Sequence, residues 1–474
     1  MAQKTGYNIK VTLKDYLQDE IYLGFTMGDK KFLKDTAKIQ KKGVYVFEGK
    51  EALPGGVYFI YTPTKLYFEI LIDENQHFSI ESDTLNFVKN AKITNSPLNS
   101  IFFDFVTKAA PLQTKMTTAS QRMSSAEKEG KKDSAAYYRN EIELLDKELK
   151  GLQDNVINNY PNLFFTKLLK SLRDPEIPET PLNPDGTKDS LFPGRYYKQH
   201  FWDNFDFTDN KLAYSEVLHN KLKAYFSRFV VPHHDSLVNE ARRLLDKAEN
   251  SSDIRKYMTH FLYVFGDTSK IMGAENLSVF IGKNYYNKEK ATWADSATLA
   301  KIKEHVSSLE PLILGKKAPN LRLADTTGQN FINMANIKAK YTVLVFWDPS
   351  CGHCQKEMPK LQTIYEEWKP KGVEIFAVYT QREVEEWKKF IRDKKLTFLH
   401  GAVFPDMAKY PEKYIFEMRV TDIESLNIHK TYYINSTPQI YLLDENKVII
   451  GRRLSAEALP KLLEAFEKMK ENKK

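Results

Sequence analysis

The chain has only two cysteines, Cys351 and Cys354, and only Gly352 and His353 separate them. A pair this close staples no distant segments together, so the 474 residues must fold around hydrophobic cores rather than a disulfide framework. Length alone suggests about three domains. Hydrophobic residues at 42% and charged residues at 28% match globular proteins and exclude wholesale disorder. Lys and Arg outnumber Asp and Glu 70 to 62, but the two signs are interleaved rather than segregated, which argues against a nucleic-acid partner. No run reaches the roughly 18 to 20 apolar residues of a membrane span. Met1-Ala2-Gln3-Lys4 opens no apolar signal core before strand-like alternation begins at Tyr7. Composition therefore leaves open a cytosolic protein and an exported one whose signal has been removed.

Three patterns follow one another along the chain, which reads as a multidomain α+β protein. Residues 1–95 alternate with period two, as in Tyr7-Asn8-Ile9-Lys10-Val11-Thr12-Leu13, and are broken by turns at Pro54-Gly55-Gly56 and Asp73-Glu74-Asn75; they predict a small β-sandwich. Residues 96–310 read as an α-helical domain. Within it Ser124 to Gln153, rich in Lys, Glu, Ala and Leu, predicts a charged helical hairpin broken at Gly130. Five prolines and Gly186 between Asp174 and Pro193 predict a long loop or linker. Residues 311–474 alternate apolar strands, at 342–347, 373–379, 439–443 and 448–451, with amphipathic helices, the signature of an α/β sheet.

Cys351 falls where the apolar strand ending in Phe346-Trp347 gives way to a helix. Free backbone N–H groups and the positive end of the helix dipole favour a thiolate there, and His353 adds a potential cation. Cys351 is thus the expected nucleophile. Cys354, one turn inside the helix, is the expected resolving thiol that attacks the mixed disulfide and releases product. The competing reading of a Cys-x-x-Cys is half a zinc site, which needs two further ligands. The chain has no second cysteine pair, and His233-His234 reads better as a loop or helix-cap pair, so no metal and no cofactor beyond a redox-active Cys351–Cys354 disulfide is expected.

With these residues in place, 315–474 resembles the thioredoxin superfamily, in particular envelope reductases of the TlpA/ResA type. The likeness rests on Gly315-x-x-Ala318-Pro319 with Asp325-x-x-Gly328, on Phe346-Trp347, on Cys-Gly-His-Cys, on Pro359 in the following helix, and on Thr437-Pro438 before a strand. It implies a thioredoxin-like fold for the third domain, a cis peptide at Pro438 facing the cysteines, and backbone pairing of Thr437 with an extended substrate. A plain strand-entry proline is the alternative reading of Pro438. Glu357 stands where these reductases carry a glutamate: it is either a proton shuttle for Cys354 or a solvated helix residue. Trp347 either shields the disulfide and contacts substrate or packs in the core, whereas Trp368 and Trp387 read as core. One position departs from ordinary thioredoxins, which bury an aspartate six residues before the first cysteine. Here it is Val345, so any proton relay must use another group.

The upstream regions resemble uncharacterised modules that precede thioredoxin domains in Gram-negative envelope proteins, through Pro54-Gly55-Gly56-Val57-Tyr58 and His200-Phe201-Trp202-Asp203-Asn204-Phe205-Asp206. The second run reads as a helix start with aromatic core residues rather than a catalytic His200–Asp203 pair. Together the resemblances imply a thiol-disulfide oxidoreductase of the periplasm or cell envelope, with protein thiol substrates, an external electron donor and anchoring through a removed N-terminal lipid signal. Gly352-His353 matches disulfide isomerases and keeps an isomerase or oxidase reading open. A peroxiredoxin-like peroxidase lacks its Pro-x-x-x-Thr-x-x-Cys motif here, and the size of the upstream region supports a third reading, a binding or scaffold protein with a subordinate redox domain.

Overall fold

The computed structural model describes residues 5–14, 16–249 and 252–471; the Met1-Ala2-Gln3-Lys4 start, on which the signal reading rests, lies outside the described residues. The chain divides into two compact units, Met1–Phe229 with Leu245–Met258, and Val230–Leu244 with Thr259–Lys474.

The first unit opens with β1 (Tyr7–Leu13), β2 (Glu20–Met27), β3 (Lys30–Lys41), β4 (Val44–Gly49), β5 (Gly56–Tyr61), β6 (Tyr67–Ile72), β7 (His77–Ser82) and β8 (Lys92–Thr94). Alternation in β1 buries Ile9, Val11 and Leu13 and leaves Lys10 in solvent, as a half-buried strand requires. The expected two layers are one continuous ladder of order β6-β5-β2-β3-β4-β1-β7-β8. The long β3 pairs with β2 over most of its length and with β4 at its end, and both halves feed a single core containing Ile9, Phe47, Ile60 and Ile70.

Helices α1 (Pro97–Lys128) and α2 (Lys132–Asn159) pack against each other as a hairpin. The hairpin expected over 124–153 is only the tip of this longer one, because the low-charge stretch before Ser124 is also helical and carries Pro111 inside α1. Gly130 makes the turn at φ +72°, a conformation glycine adopts without strain. After α3 (Phe164–Ser171), the proline-rich stretch is a loop closed by a Leu182–Lys188 bridge. Its last proline, Pro193, instead belongs to the first turn of α4 (Phe192–His200), where a missing N–H costs nothing. This corrects the reading of His200–Asp206: the run ends a helix rather than starting one. Its aromatics pack as expected, with Phe201, Trp202 and Phe205 buried, while His200 Nδ1 meets Asp203 Oδ2 at 2.6 Å. Helix α5 (Glu216–Ala224) follows.

The division between the units passes through α7 (Asp253–Thr268), after α6 (His234–Leu245). The second unit adds α8 (Glu275–Asn284) and α9 (Ser296–Leu309), then β9 (Arg322–Ala324), β10 (Phe331–Asn333), β11 (Tyr341–Trp347), α10 (Gly352–Trp368), β12 (Val373–Tyr379), α11 (Val384–Asp393) and β13 (Leu399–Ala402). The short helices α12 (Pro405–Lys409), α13 (Ile423–Leu426) and α14 (Ile428–Thr431) lead to β14 (Gln439–Asp444), β15 (Ile449–Arg452) and α15 (Leu459–Glu471). The sheet order is β10-β9-β13-β12-β11-β14-β15, with β11 parallel to β12 and antiparallel to β14. Every residue of β11 is buried, since both faces are covered. Tyr341, Val343, Val345 and Trp347 enter the core beneath α10, while Leu344 and Phe346 enter the opposite one. Among the described residues, no helix is long and apolar enough to cross a membrane.

Candidate active site

The site forms where the central strand β11 ends. Trp347 O accepts from Thr380 N and Oγ1 at 3.1 and 3.2 Å, Ser350 N donates to Asp348 Oδ1 at 2.8 Å, and Cys351 N donates to Asp348 O at 3.1 Å. This short turn delivers Cys351 as the residue that caps α10, with its backbone extended at φ −78°, ψ 118°. Cys351 is partly exposed and Cys354 is fully buried; both are free thiols. The Cys351 thiol donates to the carbonyl of Thr437 at 3.2 Å, and the Thr437-Pro438 peptide bond is cis.

The two sulfurs sit in opposed environments. Burial disfavours the Cys351 thiolate, but the Thr437 side chain and the backbone N–H groups of Cys354 and His353 outweigh it and leave that thiol below its ordinary value. Burial, with a smaller contribution from the neighbouring Cys351, pushes Cys354 up to about 12. One sulfur is therefore accessible and readily ionised, and the other stays a protonated thiol until its partner has reacted.

The remaining expected residues fall in distinct places. His353 is exposed and favours the Cys351 thiolate through its backbone N–H. Glu357 is not a solvated helix residue: its side chain is 17% exposed, Oε2 accepts from Ala456 N at 2.7 Å and Oε1 from Lys360 Nζ at 3.2 Å. It ties α10 to the turn before α15. Trp347 is 0% exposed and packs on Phe390, so it cannot serve as a substrate platform; alternation along β11 turns it into the core that also holds Cys354. Trp368 and Trp387 are buried in that same core.

Sequence reasoning missed His400. Val345, which replaces the thioredoxin aspartate, is in register with Ala377, and Ala377 with His400 on the next strand. His400 is buried among Trp347, Trp387 and Phe398, and neither ring nitrogen has a well-formed hydrogen bond. Burial lowers its pKa to about 4, so it is neutral at pH 7. A lone histidine in a four-residue strand offers no sequence signal of this. For metals, His233, His234 and Asp235 bring ligand atoms within 4.8 Å of one another at the start of α6; His233 and Asp235 are exposed.

An ionisable cysteine at a strand–helix junction, a buried partner one turn on, and a cis-proline loop against the first sulfur define a thioredoxin-like redox domain. Comparison with known proteins agrees. The AhpC/TSA family matches residues 314–451, and two domains of unknown function, DUF4369 and DUF5106, match 7–102 and 112–310. Thiol-disulfide oxidoreductase ResA of Bacillus cereus is 29% identical over 164 residues, 35% of this chain and 82% of that protein. Among solved structures, a domain of a possible thiol-disulfide isomerase from Cytophaga hutchinsonii is 40% identical, covering 34% of this chain and 98% of that one at a TM-score of 0.28. A thioredoxin-like protein from Bacteroides caccae covers 61% of this chain and 99% of its own at 17% identity and a TM-score of 0.43. The chain belongs to the thioredoxin superfamily of thiol-disulfide oxidoreductases and carries additional domains upstream of its redox domain.

Proposed function

We propose that the protein reduces protein disulfides in the cell envelope through Cys351 and Cys354, with no redox group beyond this pair. The observation that carries the reading is the asymmetry of the two thiols. The Cys351 thiolate attacks a client disulfide, forming a Cys351–client bond and expelling the other client sulfur, which takes up a proton. Cys354 then gives up its proton and attacks the Cys351 sulfur. The second client thiol leaves, and two electrons have passed from the dithiol to the client. An external dithiol donor restores the pair. Pro438 and Thr437 shape the groove, the Thr437 backbone being available to an extended client segment. The envelope location and lipid anchoring rest on resemblance to TlpA/ResA-type reductases.

Cys351→Ser is expected to abolish dithiol-dependent insulin reduction; retained activity overturns the mechanism. Gly352-His353 supports a second reading, disulfide isomerase. Equilibration with glutathione separates the two: a potential near thioredoxin's value of about −270 mV supports the reductase, and one near the isomerase value of about −180 mV supports the alternative.

A further inference from the structure

A cleft of about 730 Å³ lies between the segment that joins α7 to α8 and the stretch that runs from the end of β15 into α15. The first contributes Lys270, Ile271 and Met272, the second Leu454, Lys461 and Leu462. We infer that this cleft binds a free single-chain amphiphile with an anionic head, of the fatty-acid type, its alkyl chain on the apolar residues and its head among the cations. The inference stands apart from the redox reading: neither cysteine lines the cleft, and no step of thiol exchange uses it.

Size and apolar lining are the first argument. The volume falls within the roughly 300 to 1,000 Å³ of small-molecule sites. Ile271, Met272, Leu454 and Leu462 all line it and all are only half-buried, so an alkyl chain laid between them removes apolar surface of both from water. On the α15 side Ala458 and Ala465 are small and exposed, which leaves the space beside Lys461 and Leu462 open.

Charge is the second. Lys270, Arg452, Arg453 and Lys461 line the cleft against a single carboxylate, Glu275. Glu275 is 3% exposed and already holds Arg452 Nη1 at 3.3 Å and Arg453 Nε at 2.9 Å. Asp267, outside the lining, offers its backbone carbonyl to Arg453 Nη1 at 2.8 Å and turns its carboxylate to His305 Nε2 at 3.4 Å. Even with Asp267 counted, the cations are in excess.

The excess sits on the two lysines. Both are exposed, neither has an ion pair among the described residues, and they come from the two different segments that bound the cleft. A head group between them is met by a cation from each side, and an anion is the charge that answers them. The apolar side chains select the tail: each further methylene buried tightens binding by up to about fourfold until the cleft is filled.

The test is calorimetric titration of the full-length protein at low salt with dodecanoate, octanoate and dodecyltrimethylammonium, each below its micelle concentration. One dodecanoate is expected per chain, bound at least about tenfold more tightly than octanoate and about fivefold more tightly than the cationic amphiphile. Lys270→Gln combined with Lys461→Gln should erase the preference for the anion, and Ala465→Trp, which fills the cleft from an exposed position, should abolish binding. Unchanged thermal unfolding midpoints show that the variants fold. Absence of dodecanoate binding, equal binding of the anionic and cationic amphiphiles, or dodecanoate binding that survives Ala465→Trp each overturns the inference. So does binding to phosphatidylglycerol vesicles without binding of free dodecanoate, which would make the cleft a membrane contact instead. Loss of insulin reduction in Cys351→Ser bears only on the redox reading.

Discussion

At Cys351, hydrogen bonding outweighs burial; at Cys354, burial wins. Both outcomes follow from one helix start: a residue capping α10 meets unpaired N–H groups, while a residue one turn on faces the core. This part of the site was fully legible in sequence, because a strand end, a Cys-x-x-Cys and a helix are local features. Glu357 was not, since its partner Ala456 lies 99 residues away. Glu357→Ala strands a buried N–H and should cost about 1 to 3 kcal/mol in urea unfolding. Glu357→Gln, which keeps an acceptor, should cost less; if Gln instead impairs turnover as severely as Ala, the carboxylate acts as a proton shuttle. His400 gives a pH signature. The unfolded chain takes up its proton near pH 6.5, whereas the folded chain resists until about pH 4, so stability falls as pH drops through this window, by up to about 3 kcal/mol. Urea titrations across that range should show the slope in the wild type and lose it in His400→Phe.

Among elements, legibility tracked apolar runs more than length. The long apolar strands β11, β12 and β14 were readable from their runs, as was the four-residue β15 from its position just after β14, but the similarly short β9, β10 and β13 were not, and they exist because neighbouring strands pair with them. The α1–α2 hairpin shows the reverse error. Its break at Gly130 was readable, whereas its start was hidden by Pro111, which signals a helix end but is tolerated inside α1. Gly130→Ala meets no neighbouring atom within 4 Å, so its cost is conformational alone, about 1 kcal/mol, measurable as a lowered unfolding midpoint.

For the molecule as a whole, the sequence pattern changes near Gly315, yet the compact unit that holds the redox domain also includes Val230–Leu244 and Thr259 onward. One contact within this unit is invisible in sequence: Glu275 and Arg452, 177 residues apart, form an ion pair with both side chains 4% exposed. Removing one partner strands a buried charge at a cost of about 3 to 5 kcal/mol. A fragment of residues 315–474 should therefore be less stable than one of residues 259–474, and Arg452→Met should recover much of the loss in the shorter fragment. Equal denaturation midpoints for the two unmodified fragments would show that the pair does not stabilise the unit.

The central claim is that the two thiols have different jobs because they have different acidities. Iodoacetamide labelling of the reduced protein across pH 5 to 10, read by mass spectrometry at each cysteine, tests it directly. The account predicts that Cys351 labels with a midpoint below the ordinary thiol value of about 8.5, while Cys354 stays unlabelled until the protein unfolds. Labelling of Cys354 first, or of both with an ordinary midpoint, would contradict it.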